Sequence, residues 1–416
     1  MRLASSVFSM SLTKLLVVSI LIAGDGGCAV SNDSHTVTRR RMEPPASAPT
    51  ETQPASSSPA EKLSVTEMLE SIREKYKLPA LAGAIVRIGD TKQDEPNVEV
   101  WATGLRADNH DVHVTPADLW HLGSNTKALT ATLIALLVEE GALRWNTTLA
   151  EGFPDLVDRM HPDWRTVTVE QLLSHHGGAP ADLNADGLWL RLWQRRGTPV
   201  EQRRELVEGV LIKPPAAPPG TKYIYSNAGY AIAGALAERV TGIPWEEMMQ
   251  TRLFAPLRIT TAGFGAPGDA AALDQPWGHR RLGETVAAVP PGPTADNPPA
   301  IGPAGTVHMS LGDYAKFVAL HLAGERGNAK LLRSEIFRKL QSDAGDGYAL
   351  GWGVAQRDWG GHVLMHEGSN TMWYCVAWLA PEKGFAVIAA TNQGGSDAAR
   401  ACDEVSSALI RQILAR

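Results

Sequence analysis

The stretch from Ala128 to Val138 constrains this chain more than any other. It reads Ala-Leu-Thr-Ala-Thr-Leu-Ile-Ala-Leu-Leu-Val, without Gly or Pro. A helix that is apolar nearly all round has to be covered by protein on every side. It therefore needs a sizeable domain built around it. The run stops at Glu139-Glu140-Gly141, a helix-end pattern. It opens with Ser124-Asn125-Thr126-Lys127. The spacing of Ser124 and Lys127 sets both on one face of the first turn. A helix start offers unpaired backbone N–H groups and a partial positive charge. A hydroxyl there, with an amine beside it, suits covalent catalysis. The spacing alone says little, because Ser11 and Lys14 repeat it in a segment unfit to hold an active site.

The chain has 416 residues, which allows one large domain or two ordinary ones. Its 44% hydrophobic content is enough for a packed core. A net charge of -6 gives no reason to expect nucleic acid. Cys28, Cys375 and Cys402 form no C-x-x-C, so neither a thiolate zinc site nor any other metal or cofactor is expected. Whether Cys375 and Cys402 pair in an oxidising compartment is left open by sequence.

Arg2 and Lys14 precede an apolar stretch from Leu15 to Gly24. This reads as a secretory signal peptide over residues 1–27, too short to span a bilayer. Cys28 follows Gly26-Gly27 and looks like a lipoprotein attachment site, although Asp25 stands where such sites usually carry Leu. Simple cleavage nearby is the other reading. Residues 28–62 are rich in Ser, Thr, Pro and Ala and read as a disordered tether. The expectation is an exported protein, periplasmic or anchored to the cell envelope, with a folded domain over 63–416.

Ser64, followed by Glu67, predicts a capped helix to Tyr76. Leu81–Ile88 and Val98–Gly104 read as strands. A mostly helical region follows Ser124. Within it, Leu172 to Gly178 ends a helix in a glycine turn, and Ala228–Thr241 and Ala315–Leu322 are apolar helices. His362–Met365, Met372–Leu379 and Phe385–Ala390 read as an antiparallel meander turning at Pro381-Glu382-Lys383-Gly384. Ala398–Leu414 closes as a helix. The fold class is α+β. One antiparallel sheet forms from N- and C-terminal segments, helices flank it, a mainly helical region is inserted, and the active site lies between.

Two further triplets matter through their order. Tyr225-Ser226-Asn227 lies about a hundred residues after Ser124, just before a helix. Alone it would be a turn with Asn227 as a cap. His366-Glu367-Gly368 lies in the β-rich part, and alone it would be a polar group at a strand end. Three decoys can be set aside. Gly263 to Gly268 spells G-x-G-x-x-G, but no clear strand precedes it and Pro267 interrupts it. His366-Glu367 begins a zinc motif that Asn370 breaks. His175 and His176 are adjacent and point apart in regular structure.

S-x-x-K at a helix start, Y-x-N before a helix and a polar-x-Gly triplet at a sheet edge resemble the penicillin-recognising serine hydrolases. The likeness is to the group of class C β-lactamases, D-alanyl-D-alanine carboxypeptidases and related esterases, from about residue 65 to the C-terminus. Leu172 to Gly178, Gly302 to Gly305, Gly351 to Gly353 and Thr391-Asn392 are similar as well. The S-D-N and K-T-G triplets of related enzymes are replaced here by Tyr225-Ser226-Asn227 and His366-Glu367-Gly368.

The resemblance implies a β-lactamase/transpeptidase-like fold and a serine hydrolase that forms an acyl-enzyme. It implies Ser124 as nucleophile, with Lys127 and Tyr225 as the two candidate bases. Their titrations are coupled, so the proton is not assigned to either. Asn227 would hydrogen-bond substrate or Lys127. The backbone N–H groups of Ser124 and Ser369 would form the oxyanion hole, and Gly368 would let substrate lie close to the strand. The partner is a small-molecule or peptide substrate, and a monomer is expected. In β-lactamases and carboxypeptidases of this group the last triplet begins with Lys. His366, with an ordinary pKa of about 6.5, is mostly uncharged at neutral pH. Ester or amide cleavage is therefore expected ahead of efficient β-lactamase action. The alternatives are a β-lactamase, a D-alanyl-D-alanine carboxypeptidase, or a catalytically silent cell-wall-binding protein.

Overall fold

Strands from the two ends of the chain meet in the middle of one sheet. The computed structural model describes residues 64–89, 95–283, 285–324, 326–327 and 330–415. The expected signal peptide, the tether and Cys28 lie outside the described residues. In chain order the strands are β1 (Ala80–Arg87), β2 (Asn97–Gly104), β3 (Leu119–His121), β4 (Gly263–Phe264), β5 (Gly278–Leu282), β6 (Thr285–Val289), β7 (Val307–Ser310), β8 (Gly353–Arg357), β9 (Gly361–Ser369), β10 (Tyr374–Ala380) and β11 (Phe385–Thr391). The main sheet has the order β2-β1-β11-β10-β9-β8. β1 pairs antiparallel with β11, from Leu81 opposite Thr391 to Arg87 opposite Phe385.

Both faces of this sheet are covered, so its central strands are apolar on both sides. On β10, Cys375, Ala377 and Leu379 face one core, while Val376 and Ala380 face the other. The second core is closed by the terminal helices Val65–Lys75 and Ser396–Leu414, through Leu69, Ile72, Val405 and Leu409. Ser64 caps the first of these in a full capping box with Glu67. Cys402 also sits on this side, and Cys375 on the opposite one; both are buried and free. The sheet between them settles the pairing question against a disulfide.

The first core is organised on the helix Thr126–Glu139, buried from Thr126 to Leu137. Its inner threonines are satisfied, Thr130 by donating to the Pro303 carbonyl (2.7 Å) and Thr132 to the Ala128 carbonyl (2.9 Å). Ser124 itself precedes the helix, in a 3-10 turn over Gly123–Asn125.

The inserted region contains the helices Val169–Leu173, Pro199–Leu211 and Asn227–Thr241. It is not helical alone, however. β3, β7 and β4 form a small sheet, and β5 and β6 a hairpin. Strands of two to five residues are too short to show a period of two in sequence. The turn after Leu173 also differs from expectation. Its first left-handed residue is His175, at φ 63°, ahead of Gly178.

Candidate active site

Lys127 is fully buried, and its amine has three partners. Nζ lies 3.0 Å from Ser124 Oγ, 2.7 Å from Asn227 Oδ1 and 2.8 Å from the Ala304 carbonyl. The turn before the helix presents Ser124, and the first turn of the helix presents Lys127. Asn227 is the first residue of its own helix, for which Ser226 is the cap through Oγ, accepting from the Gly229 N–H at 3.1 Å. Asn227 is thereby free to reach Lys127. None of the three partners carries a charge, so burial pushes the Lys127 amine well below its ordinary value of 10.5.

Tyr225 stands against this group, its ring centroid 4.7 Å from Lys127 Nζ. Burial pushes its phenol up, while a hydrogen bond with Ser124 pulls the other way. Tyr225 is still 37% exposed, so solvent softens that push relative to fully buried Tyr230. The opposed shifts favour a neutral amine and an intact phenol over an ammonium–phenolate pair.

His366 and Gly368 share the β9 face that carries Leu364, toward the Ser124 helix, while Glu367 points outward to the Tyr374 hydroxyl. His366 is buried. Its Nδ1 lies 2.7 Å from the Glu367 carbonyl, and its Nε2 lies 3.2 Å from the Tyr348 hydroxyl. Desolvation first, and nearby Lys127 second, bring its imidazole down to about 3. It is uncharged at neutral pH.

The end of β9 presses on the turn that holds Ser124. A Cβ at Gly368 would overlap the Leu122 carbonyl and the Ser124 N–H, and one at Gly123 would overlap the Ser369 N–H. Only glycine at both positions lets the two backbones approach this closely. The backbone nitrogens of Ser124 and Ser369 are thus brought to one place, and a pair of N–H groups there can hold an oxyanion.

Residues 65–410 match the Beta-lactamase family model. The chain belongs to the beta-lactamase family. Penicillin-binding protein 4 of Amycolatopsis lactamdurans is 29% identical to this family member over 342 residues, 79% of this chain and 84% of that protein. Unguisins hydrolase ungD' of Aspergillus campestris is 26% identical, over 78% of this chain and 60% of its own length. Among solved structures, SurE superposes with a TM-score of 0.66 at 25% identity, covering 84% of this chain and 74% of its own. The protein is a serine hydrolase of this family, with the β-lactamase/transpeptidase-like fold.

All seven residues read from sequence as site residues of this beta-lactamase family member, Ser124, Lys127, Tyr225, Asn227, His366, Gly368 and Ser369, meet in one place. Others were missed. The Ala304 carbonyl is backbone, which residue type cannot announce, although Gly302 to Gly305 had been noted as family-like. His175 was set aside as half of a false metal pair. It instead brackets Tyr225: its carbonyl accepts from the Ile224 N–H (2.8 Å) and its Nδ1 from the Ser226 N–H (3.1 Å). Its ring lies 4.5 Å from that of Tyr225 and 4.8 Å from that of Tyr348. His176 turns away to Asp346 at 3.2 Å.

Proposed function

We propose that this protein is an exported hydrolase that cleaves esters or amides lacking a carboxylate next to the scissile bond, through an acyl group on Ser124. The arrangement of Lys127 carries this reading. A neutral amine has two N–H donors and one lone pair. The Asn227 Oδ1 and Ala304 carbonyl oxygens can only accept, so they take both donors. The lone pair then faces the Ser124 hydroxyl, from which it takes the proton as Oγ attacks the substrate carbonyl. Negative charge developing on the carbonyl oxygen is met by the Ser124 and Ser369 N–H groups. Tyr225, kept protonated, is placed to pass a proton to the departing group, and the proton that Lys127 took from Ser124 then returns to the Tyr225 oxygen, so that amine and phenol regain their starting states. Water then cleaves the acyl-serine by the same route.

The preference for uncharged substrates is supported by His366, which offers no positive charge to a carboxylate. Relatives named a penicillin-binding protein and an unguisins hydrolase agree with acyl transfer without fixing the substrate. Export is supported by the apolar N-terminal stretch after Arg2 and Lys14. A fluorophosphonate probe is the first test. Wild type should be labelled at Ser124 and Ser124→Ala should be inert while folding normally. Turnover at the wild-type rate by Ser124→Ala would end the acyl-serine reading. Sequencing the N-terminus of the mature protein, and fractionating cells, checks export and modification at Cys28.

A further inference from the structure

A buried carboxylate ties together the two backbone segments that form the oxyanion pocket. Asp296, 3% exposed, lies in the loop before the Gly302–Gly305 turn. Its Oδ2 is 2.9 Å from His121 Nε2. Its Oδ1 accepts from Asn370 Nδ2 at 3.0 Å and from the Asn297 N–H at 2.7 Å. His121 and Asn370 are buried as well. On the far side of the imidazole, His121 Nδ1 accepts the Gly123 N–H at 3.1 Å. Nδ1 therefore carries no hydrogen, and Nε2 donates to Asp296. Asn370 also donates to the Ala295 carbonyl (3.2 Å) and accepts from the Met372 N–H (3.1 Å). Arg195 braces the loop from outside by donating to the Asp296 and Asn297 carbonyls.

The ends of this chain of bonds matter. It begins at Gly123, one residue before Ser124, and ends at Asn370, one residue after Ser369. The two N–H groups that must converge belong to Ser124 and Ser369. Gly123 sits at φ 51° with no Cβ to limit its rotation, so the peptide leading into Ser124 needs an outside restraint. The His121 bond anchors the near side of this glycine by holding the Gly123 N–H, the peptide from which the one carrying the Ser124 N–H follows. On the other side Thr371 is held at φ 76°, a costly conformation for a β-branched residue, so the Asn370 loop is pinned against its own preference.

We propose that Asp296 is a positioning residue for the oxyanion hole, acting through His121 on the Ser124 N–H and through Asn370 on the Ser369 N–H. This rests on the acyl-Ser124 reading above. A displaced donor is catalytically expensive because the charge it meets exists only in the transition state.

Asp296→Asn in the full chain is the test. The amide keeps the size of the carboxylate but turns one acceptor into a donor, which faces either Asn370 Nδ2 and the Asn297 N–H or His121 Nε2–H. With a p-nitrophenyl ester, kcat should fall about tenfold to a hundredfold, with KM within about threefold of wild type. Inhibition by phenylboronic acid, whose tetrahedral adduct on Ser124 places an oxygen in the pocket, should weaken by a similar factor. A folded Asp296→Asn with wild-type kcat and boronate affinity overturns the proposal. Should Asp296→Asn fail to fold, Asn370→Ala must show the same kcat-selective loss, and wild-type kinetics there overturn the proposal too. Wild-type protein that the fluorophosphonate does not label at Ser124 overturns the acyl-enzyme reading and this proposal together. Labelling with an unaffected Asp296→Asn overturns the proposal alone.

Discussion

Gly123 and Gly368 lie against each other, each occupying the space that a Cβ on the other would need. The contact joins the turn before the long buried helix to the last residues of β9. Gly368→Ala should therefore push β9 away from Ser124 and spread the two N–H donors. Overpacking of this kind costs about 1–3 kcal/mol, so the variant should still fold. Its kcat should fall about a hundredfold or more. Ester turnover with circular dichroism on the same sample checks this; normal kcat would show that the strand can retreat harmlessly.

Lys127→Ala and Tyr225→Phe should each lower kcat by several orders of magnitude, on the scale of losing a member of a catalytic unit. The double variant should be little worse than the poorer single one, because both groups serve the Ser124 oxygen. Losses that simply multiply in single-turnover acylation would show that the two act independently.

Lys127 has to be deprotonated to accept a proton, so kcat/KM should fall as pH is lowered through its pKa. Burial lowers that pKa well below 10.5. The acid limb of the profile should therefore lie well below the ordinary lysine range. Replacing Asn227 with Asp puts a carboxylate beside the amine, favours the ammonium and should move the limb to higher pH. A limb that stays put in that variant would assign it to another group.

His366→Lys should introduce the fixed charge that the wild-type position lacks. The ratio of kcat/KM for nitrocefin, which carries a carboxylate, to that for a p-nitrophenyl ester should rise about tenfold, the scale of one charged hydrogen bond. Efficient nitrocefin hydrolysis by the wild type would falsify the substrate reading.

Acid should destabilise the fold through its desolvated histidines. His321 and His366 are brought down to about 3 and His308 to about 4, in each case chiefly by desolvation. All three sit below the unfolded value of about 6.5. As pH falls below 6.5 the unfolded chain takes up protons that the folded chain refuses, so stability is full above 6.5 and is lost progressively toward pH 3. Urea midpoints between pH 7.5 and 4 should show this slope. His321 contacts Thr132 and Gln341 in the core. His321→Leu should lower stability at pH 7.5 yet flatten the slope; an unchanged slope would remove His321 from the cause.

What the sequence disclosed depended on the kind of signal. The Thr126–Glu139 helix was legible because apolar character all round leaves one interpretation. Ser124, Lys127, Tyr225 and the His366 triplet were legible through their order, since each motif alone is common. β3, β4 and β7 were not, being too short for periodicity. The Ala304 carbonyl was invisible because every residue has one. Asp296 and His121 escaped because neither sits in a recognisable spacing, and only the fold brings them together across 175 residues. His175 was misjudged because regular structure was assumed where the backbone turns left-handed.

The pairing of β1 with β11 also governs when this protein can form. Leu81 meets Thr391 only after nearly the whole domain has left the ribosome. Until then β1 has β2 on one edge and nothing on the other, and the helix Ser396–Leu414 that covers this face has not been made. Contacts this distant in sequence make for slow folding, because a long loop must be closed before they give any return. The chain thus stays uncommitted during synthesis, with an open apolar strand edge exposed to chaperones and to aggregation. Circular permutants that bring β1 and β11 together in sequence should accelerate folding while leaving the native architecture unchanged.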